Sequence, residues 1–216
     1  MKPTSNSILI FDMDGVILDS LDKLSSCMLL AVSEFCQSQD QFMQFVEFDR
    51  SNPGLSRFEK IQNFVDSLPV SSQLSPSALF AEILGKFDSL SLEARISSKI
   101  DDSIYELSEN FKPANLLILS NCDNSQLSLI VAHFGLHQIF KGGQIGTPPG
   151  KLTRMQELLS NLASDDIWSV SDSESDAIIA RKFPIKFAFV SRFARDDAPW
   201  LASNEYRFRS IEQLSS

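Results

Sequence analysis

Histidine is scarce in this 216-residue chain, which holds only His133 and His137, and cysteine is nearly so, with Cys27, Cys36 and Cys122. The three thiols lack metal-ligand spacing, and their odd number argues against a disulfide framework. Cys27 and Cys36 fall on one expected helix, where a small buried thiol is the ordinary occupant. No stretch approaches the roughly 18 apolar residues of a membrane span. The opening MKPTSNS is polar, and the apolar run after it is too short for a signal sequence. The expectation is a cytoplasmic, reducing location with no membrane partner. Positive charge is in deficit, with 19 Lys and Arg against 28 Asp and Glu for a net −9. That balance argues against nucleic-acid binding, and it makes any Lys or Arg near an anion site worth tracing. Internal repeats are absent, as is low-complexity sequence beyond a general richness in serine.

What is present is enough apolar sequence, 43% of residues, for one or two globular domains with a sizeable core. Ile8-Leu9-Ile10 is a short β-branched apolar run of the kind that forms a buried strand. Phe11-Asp12-Met13-Asp14-Gly15-Val16 follows, with Gly15 allowing a sharp turn. Asp12 and Asp14 are one residue apart, so in extended backbone their carboxylates point the same way and repel. A hard cation bound through oxygen relieves that repulsion, and Mg²⁺ usually takes one or two carboxylates plus substrate phosphate. An Asp-Gly turn after a strand is the plainer alternative.

Beyond Asp19 the period changes to helical. Leu21, Leu24, Met28, Val32 and Phe35 share one face, with Asp19 or Ser20 as N-cap. A polar Gln37–Gln44 stretch and an Asn52-Pro53-Gly54 turn follow. Ser56-Arg57-Phe58-Glu59 is a capping box, and Ser75-Pro76 opens a further helix to about Phe87. Residues 18–90 thus form a helical insert, a cap domain, within an α/β core made of 1–17 and 91–216. In the core, strands are expected at Leu116–Leu119, Ile167–Val170, Phe187–Val190 and Tyr206–Phe208. Helices lie between them, and Gly142-Gly143 and Gly146–Gly150 read as loop. Such alternation implies an α/β, Rossmann-like parallel sheet. Asp12, Asp14, Ser120 and Asp172 then fall at carboxyl ends of strands, which line one crevice in an open sheet.

FDMDGVILDS, followed in order by Ser120-Asn121, Lys151 and Asp172-Ser173-Glu174-Ser175-Asp176, resembles the haloacid dehalogenase-like superfamily of phosphohydrolases. More narrowly it is similar to the branch of phosphoglycolate phosphatase and β-phosphoglucomutase, over nearly the whole chain. The resemblance implies a Mg²⁺-dependent phosphatase acting on a small phosphorylated metabolite, as a monomer or homodimer. It makes Asp12 the nucleophile and a metal ligand. Asp14 becomes the general acid/base, its carbonyl a metal ligand. Ser120 and Asn121 hold the phosphoryl oxygens, and Lys151 offsets the charge. Asp172 and Asp176 serve the metal, and Arg57 meets the far end of the substrate.

Each residue also has a plainer reading. Ser120-Asn121 suits a turn, Lys151 a solvated first-turn lysine, Asp172–Asp176 a capped helix start, and Arg57 a surface helix arginine. The family usually has Gly where Ser171 stands, before the first acid of the last motif. The mutase has a histidine on its first cap helix where this chain has Leu24, which favours a phosphatase. A sugar phosphomutase, or a non-catalytic binding protein that kept the fold, are the alternatives.

Overall fold

β1, Ile8–Phe11, is apolar at every position because both its faces are covered; all four residues are buried. The computed structural model describes residues 1–52, 54–68 and 75–215. Pro53 of the expected Asn52-Pro53-Gly54 turn therefore lies outside the described residues. After β1 come β2, Leu18–Asp19, and four helices: α1 (Leu21–Ser33), α2 (Gln39–Ser51), α3 (Arg57–Asp66) and α4 (Pro76–Ile96). β3, Lys99–Ile100, returns antiparallel to β2. The remainder alternates: α5 (Leu107–Asn110), β4 (Leu116–Asp123), α6 (Asn124–His133), β5 (Gly143–Thr147), α7 (Lys151–Leu159), β6 (Ile167–Ser171), α8 (Glu174–Ala180), β7 (Lys186–Val190) and β8 (Tyr206–Phe208).

Six strands form one parallel sheet in the order β5-β4-β1-β6-β7-β8, so β1 lies inside it. Alternation then sorts its side chains. Ile8 and Ile10 pack with Leu117, Leu119, Ile167 and Met155 of α7, while the Phe11 ring meets Phe140 edge-on at 5.6 Å. β5 corrects the loop expected at Gly142-Gly143 and at the start of Gly146–Gly150. Glycines in and just before it hid it, yet they let it lie close to its neighbours: a Cβ on Gly142, directly ahead of the strand, would lie 2.7 Å from the Ala114 carbonyl, and one on Gly146, within it, 2.5 Å from that of Cys122. Ahead of β4, Asp102–Glu106 is a 3₁₀ turn, continued by the single-turn α5.

The chain divides into two compact units, residues 1–21 with 98–216, and residues 22–97. The junctions differ from those read at 17/18 and 90/91. β2 and β3 pair with each other inside the first unit, and α4 runs unbroken past Phe87 to Ile96.

In the helical unit, the polar Gln37–Gln44 stretch is the start of α2. Ser38 caps it, accepting from the Gln41 amide, and its buried side chains come later, at Phe45, Val46 and Asp49. Both bonds of the Ser56–Glu59 capping box are formed. The core gathers Met28, Val32, Phe45, Ile61, Phe64, Ile83 and Phe87. Within it Lys60 Nζ donates to Asp49 Oδ1 at 2.7 Å, and the Ser25 hydroxyl donates to the other oxygen. Asp49→Ala strands a buried ammonium, so it is expected to cost about 3 kcal/mol by denaturant titration. Asp49→Leu with Lys60→Met should recover most of that loss.

In the α/β unit a bidentate pair ties α8 to the loop before β8. Arg181 donates to Glu205 Oε1 at 2.9 Å and Oε2 at 2.8 Å, and the Ala202 amide adds a third bond. Burial pushes the Glu205 carboxyl up, but the bonds from Arg181 and Ala202 outweigh it and hold it below its usual 4.5. A carboxyl lowered in the fold stabilises above its unfolded value and ceases to as pH falls through the folded one. Thermal stability should therefore fall below about pH 4.5, and Glu205→Gln should flatten that acid limb in melts across pH 3–6.

Candidate active site

Strand register brings the sequence motifs to one level. Phe11 pairs with Ile118 on one side and Val170 on the other. Asp12 is one residue beyond Phe11, and Ser120 and Asp172 are each two residues beyond the partners. Three neighbouring parallel strands thus deliver their polar residues at the same carboxyl edge.

Lys151 is the hub. It is the first residue of α7 and is only 7% exposed. Its Nζ lies 2.9 Å from Asp12 Oδ2 and 2.7 Å from Asp176 Oδ2. A cation is unfavourable at a helix N-terminus, and here two carboxylates hold it there, so it is not a solvated lysine. Burial works against its charge, but Asp12 and Asp176 outweigh that and push its pKa up. Asp176 is opposed by burial too, yet the charge and hydrogen bond of Lys151, with a second bond from Ser171, hold it below the usual carboxylate range. Asp12 goes the other way: burial raises it to about 7 against the pull of Lys151. Its Oδ1 accepts from the Met13 amide at 2.7 Å, which fixes the carboxylate's orientation.

Asp14 is turned by Ser20, whose hydroxyl donates to its Oδ1 at 2.7 Å. Between the two aspartates and this serine the chain makes a tight turn, with Gly15 N–H donating to the Leu18 carbonyl at 2.8 Å. Gly15 is required twice over. Its φ is +80°, and a Cβ there would lie 2.4 Å from Asp172 Oδ2. The Asp172 carboxyl is therefore pressed against the Asp12–Gly15 turn. Burial first, then repulsion from Asp12 and Asp176, raises its pKa well above the ordinary value.

Ser120 is completely buried, and its hydroxyl accepts from the Cys122 amide at 3.1 Å. Asn121 is half-buried on β4, its carbonyl accepting from the Thr147 hydroxyl of β5. Both sit at the carboxyl edge of β4, inside the strand rather than in a turn beyond it. Arg57 belongs to the helical unit and is not a surface arginine. It is 8% exposed, with Nε 3.2 Å from Asp88 Oδ1 and its guanidinium over the Phe58 ring. Leu24 packs on the same unit's apolar cluster.

Two serines were legible only as structural residues. Ser20 has the look of an N-cap and instead orients Asp14. Ser171, which stands where Gly is usual, donates to Asp176 Oδ2 at 2.5 Å. The substitution adds a bond to the carboxylate that braces Lys151. A serine at or just after the end of a strand carries no such signal in the sequence.

No family model matches the chain, and no curated protein does. Solved structures do. A haloacid dehalogenase-like family hydrolase from Streptococcus pneumoniae is 17% identical over 94% of this chain and 93% of its own, with a TM-score of 0.68. A proposed phosphoglycolate phosphatase from Lactobacillus plantarum is 16% identical over 98% and 100%, at 0.70. CbbY from Rhodobacter sphaeroides, solved in complex with phosphate, is 12% identical over 99% and 96%, at 0.66. The shared property at such identities is the fold: this chain has the fold of the haloacid dehalogenase-like phosphatases, with its parallel α/β core.

Proposed function

We propose that the chain is a phosphomonoester hydrolase working through an aspartyl-phosphate on Asp12. The observation that carries this reading is the Asp12–Lys151–Asp176 arrangement, with Asp14 on the same strand end. A carboxylate oxygen of Asp12 attacks phosphorus, and the bond to the leaving oxygen breaks as Asp14 gives that oxygen its proton. Water then attacks the phosphoryl group, Asp14 takes the water's proton, and the P–O bond to Asp12 breaks. Inorganic phosphate leaves and the carboxylate is restored. Lys151 offsets negative charge throughout, and Ser120 with Asn121 sits where the phosphoryl oxygens would be held. The substrate is a small phosphorylated metabolite.

A divalent cation fits this site by its chemistry. Asp12 and Asp176 share one ammonium, the Asp172 carboxyl lies against the Asp12–Gly15 turn with no such partner among the described residues, and every donor is a hard oxygen, as Mg²⁺ prefers. Among the described residues no group of three or more His, Cys, Asp or Glu side chains is arranged to hold a metal. Mg²⁺ would thus rest on Asp12, Asp172 and the Asp14 carbonyl, with Asp176 committed to Lys151 and Ser171. When bound it would neutralise charge on the phosphoryl group. Arg57 has a structural role in this reading, because Asp88 already engages it. Leu24 provides no acid or base for a mutase.

The test is phosphate release from p-nitrophenyl phosphate with Mg²⁺, with and without excess chelator. Release that stops in chelator supports the reading. Its absence under both conditions, with phosphate still binding, would favour a binding protein that kept the fold.

A further inference from the structure

The loop between β7 and β8 does something the catalytic reading does not use. Arg192 Nη1 donates to Asp101 Oδ1 at 2.7 Å, and Arg195 Nη2 donates to the Leu21 carbonyl at 2.6 Å. Asp101 directly follows β3, and Leu21 closely follows β2. Two arginines three residues apart thus grip both segments by which the chain leaves and re-enters the α/β unit. The segments are also tied to each other, since the Asp101 amide donates to the Ile17 carbonyl at 2.9 Å.

The grip is built rather than incidental. Asp101 is fully buried, and its Oδ1 also accepts from the Ser103 amide and hydroxyl. Its Oδ2 is buried with no hydrogen-bond partner among the described residues, and the ion pair with Arg192 is made through Oδ1. The loop is stiffened from the other side. Arg207 of β8 donates to the Asp197 carbonyl at 2.5 Å and the Ala198 carbonyl at 3.3 Å. Asp196 Oδ1 accepts from the Ala198 amide at 2.6 Å, and Ala198 holds a φ of +48°. A loop that keeps a non-glycine residue there is over-determined by its surroundings.

What the grip acts on is the stretch from Asp14 to Leu21. Ser20, next to Leu21, carries the hydroxyl that orients Asp14. We infer that Arg192 and Arg195 are positioning residues for Asp14: they hold the two chain crossings so that Ser20 keeps the acid/base carboxyl aligned with the leaving oxygen. This rests on the phosphatase reading.

The chemistry supplies a readout that loss of general stability does not move. Protonation by Asp14 matters for an alkoxide leaving group and little for p-nitrophenolate, which leaves unaided. Arg195→Ala removes the bond to the neutral Leu21 carbonyl, and melts check that the variant keeps its fold. Its kcat/KM on glycerol phosphate is expected to drop about tenfold or more, and on p-nitrophenyl phosphate by less than about threefold. Arg192→Ala should show the same split, with Arg192→Lys recovering part of it, provided melts show the fold kept. Equal losses on both substrates, or none on either, would overturn the inference while leaving the phosphatase reading standing. A wild-type protein inactive on both substrates would overturn both.

Discussion

Asp12→Asn is expected to lower kcat on p-nitrophenyl phosphate by about 10⁴-fold while leaving the melting temperature close to that of the native chain. A neutral amide oxygen is a poor nucleophile, and the variant cannot form the acyl phosphate. The surroundings tolerate it: the amide oxygen can still accept from the Met13 N–H, and Lys151 keeps Asp176 at 2.7 Å. A second measurement is independent of rate. Wild-type protein quenched in acid during turnover should carry one phosphoryl group on the peptide containing Asp12, and the variant none. Residual activity above about a tenth, or a phosphoryl group elsewhere, would remove Asp12 from the role.

Lys151→Met should be nearly as damaging, and its pH dependence has a definite sign. The ammonium is the strongest force lowering the Asp12 pKa, which burial already holds at about 7. Without it that pKa moves further up, so Asp12 is mostly protonated at neutral pH and cannot attack. The acid limb of kcat/KM should shift to higher pH, with a loss of about 10³-fold near neutrality. Stability follows the same logic. A carboxyl whose folded pKa is raised stabilises fully below its unfolded value and loses that contribution as pH rises through the folded one. The variant should therefore be closest to native stability near pH 5. Its deficit should grow to about 3 kcal/mol by pH 8, where two buried carboxylates lack their shared cation. Denaturant titrations at the two pH values check this. A deficit independent of pH would mean that Lys151 matters for packing alone.

The placement of Asp12, Asp14, Ser120 and Asp172 at the carboxyl ends of strands was legible from local pattern, whereas Lys151 was singled out by the resemblance. A short apolar strand followed by polar residues is a local property, and so are caps such as Ser56 and Ser75 with their helices. Alternating strands and helices then leave few topologies, which is why the parallel sheet and the helical insert could be read directly. β5 could not, because glycine's lack of a side chain removes the apolar period while making close pairing with β4 possible.

The tertiary structure decided which charged groups meet. A Lys at a helix start is solvated or buried depending on what the sheet places above it, and Asp12 and Asp176, 139 and 25 residues away, make it the hub. Arg57 carries the same charge at an equivalent helix position, and Asp88 claims it instead. Ser171 became a brace for Asp176, and Ser20 a support for Asp14, through bonds that follow only from how the folded backbone turns. Charge pairing acts over a few ångströms in space and is indifferent to separation along the chain. The sequence by itself therefore determined the strand ends and the kinds of group they carry, and the fold alone determined the partner of each.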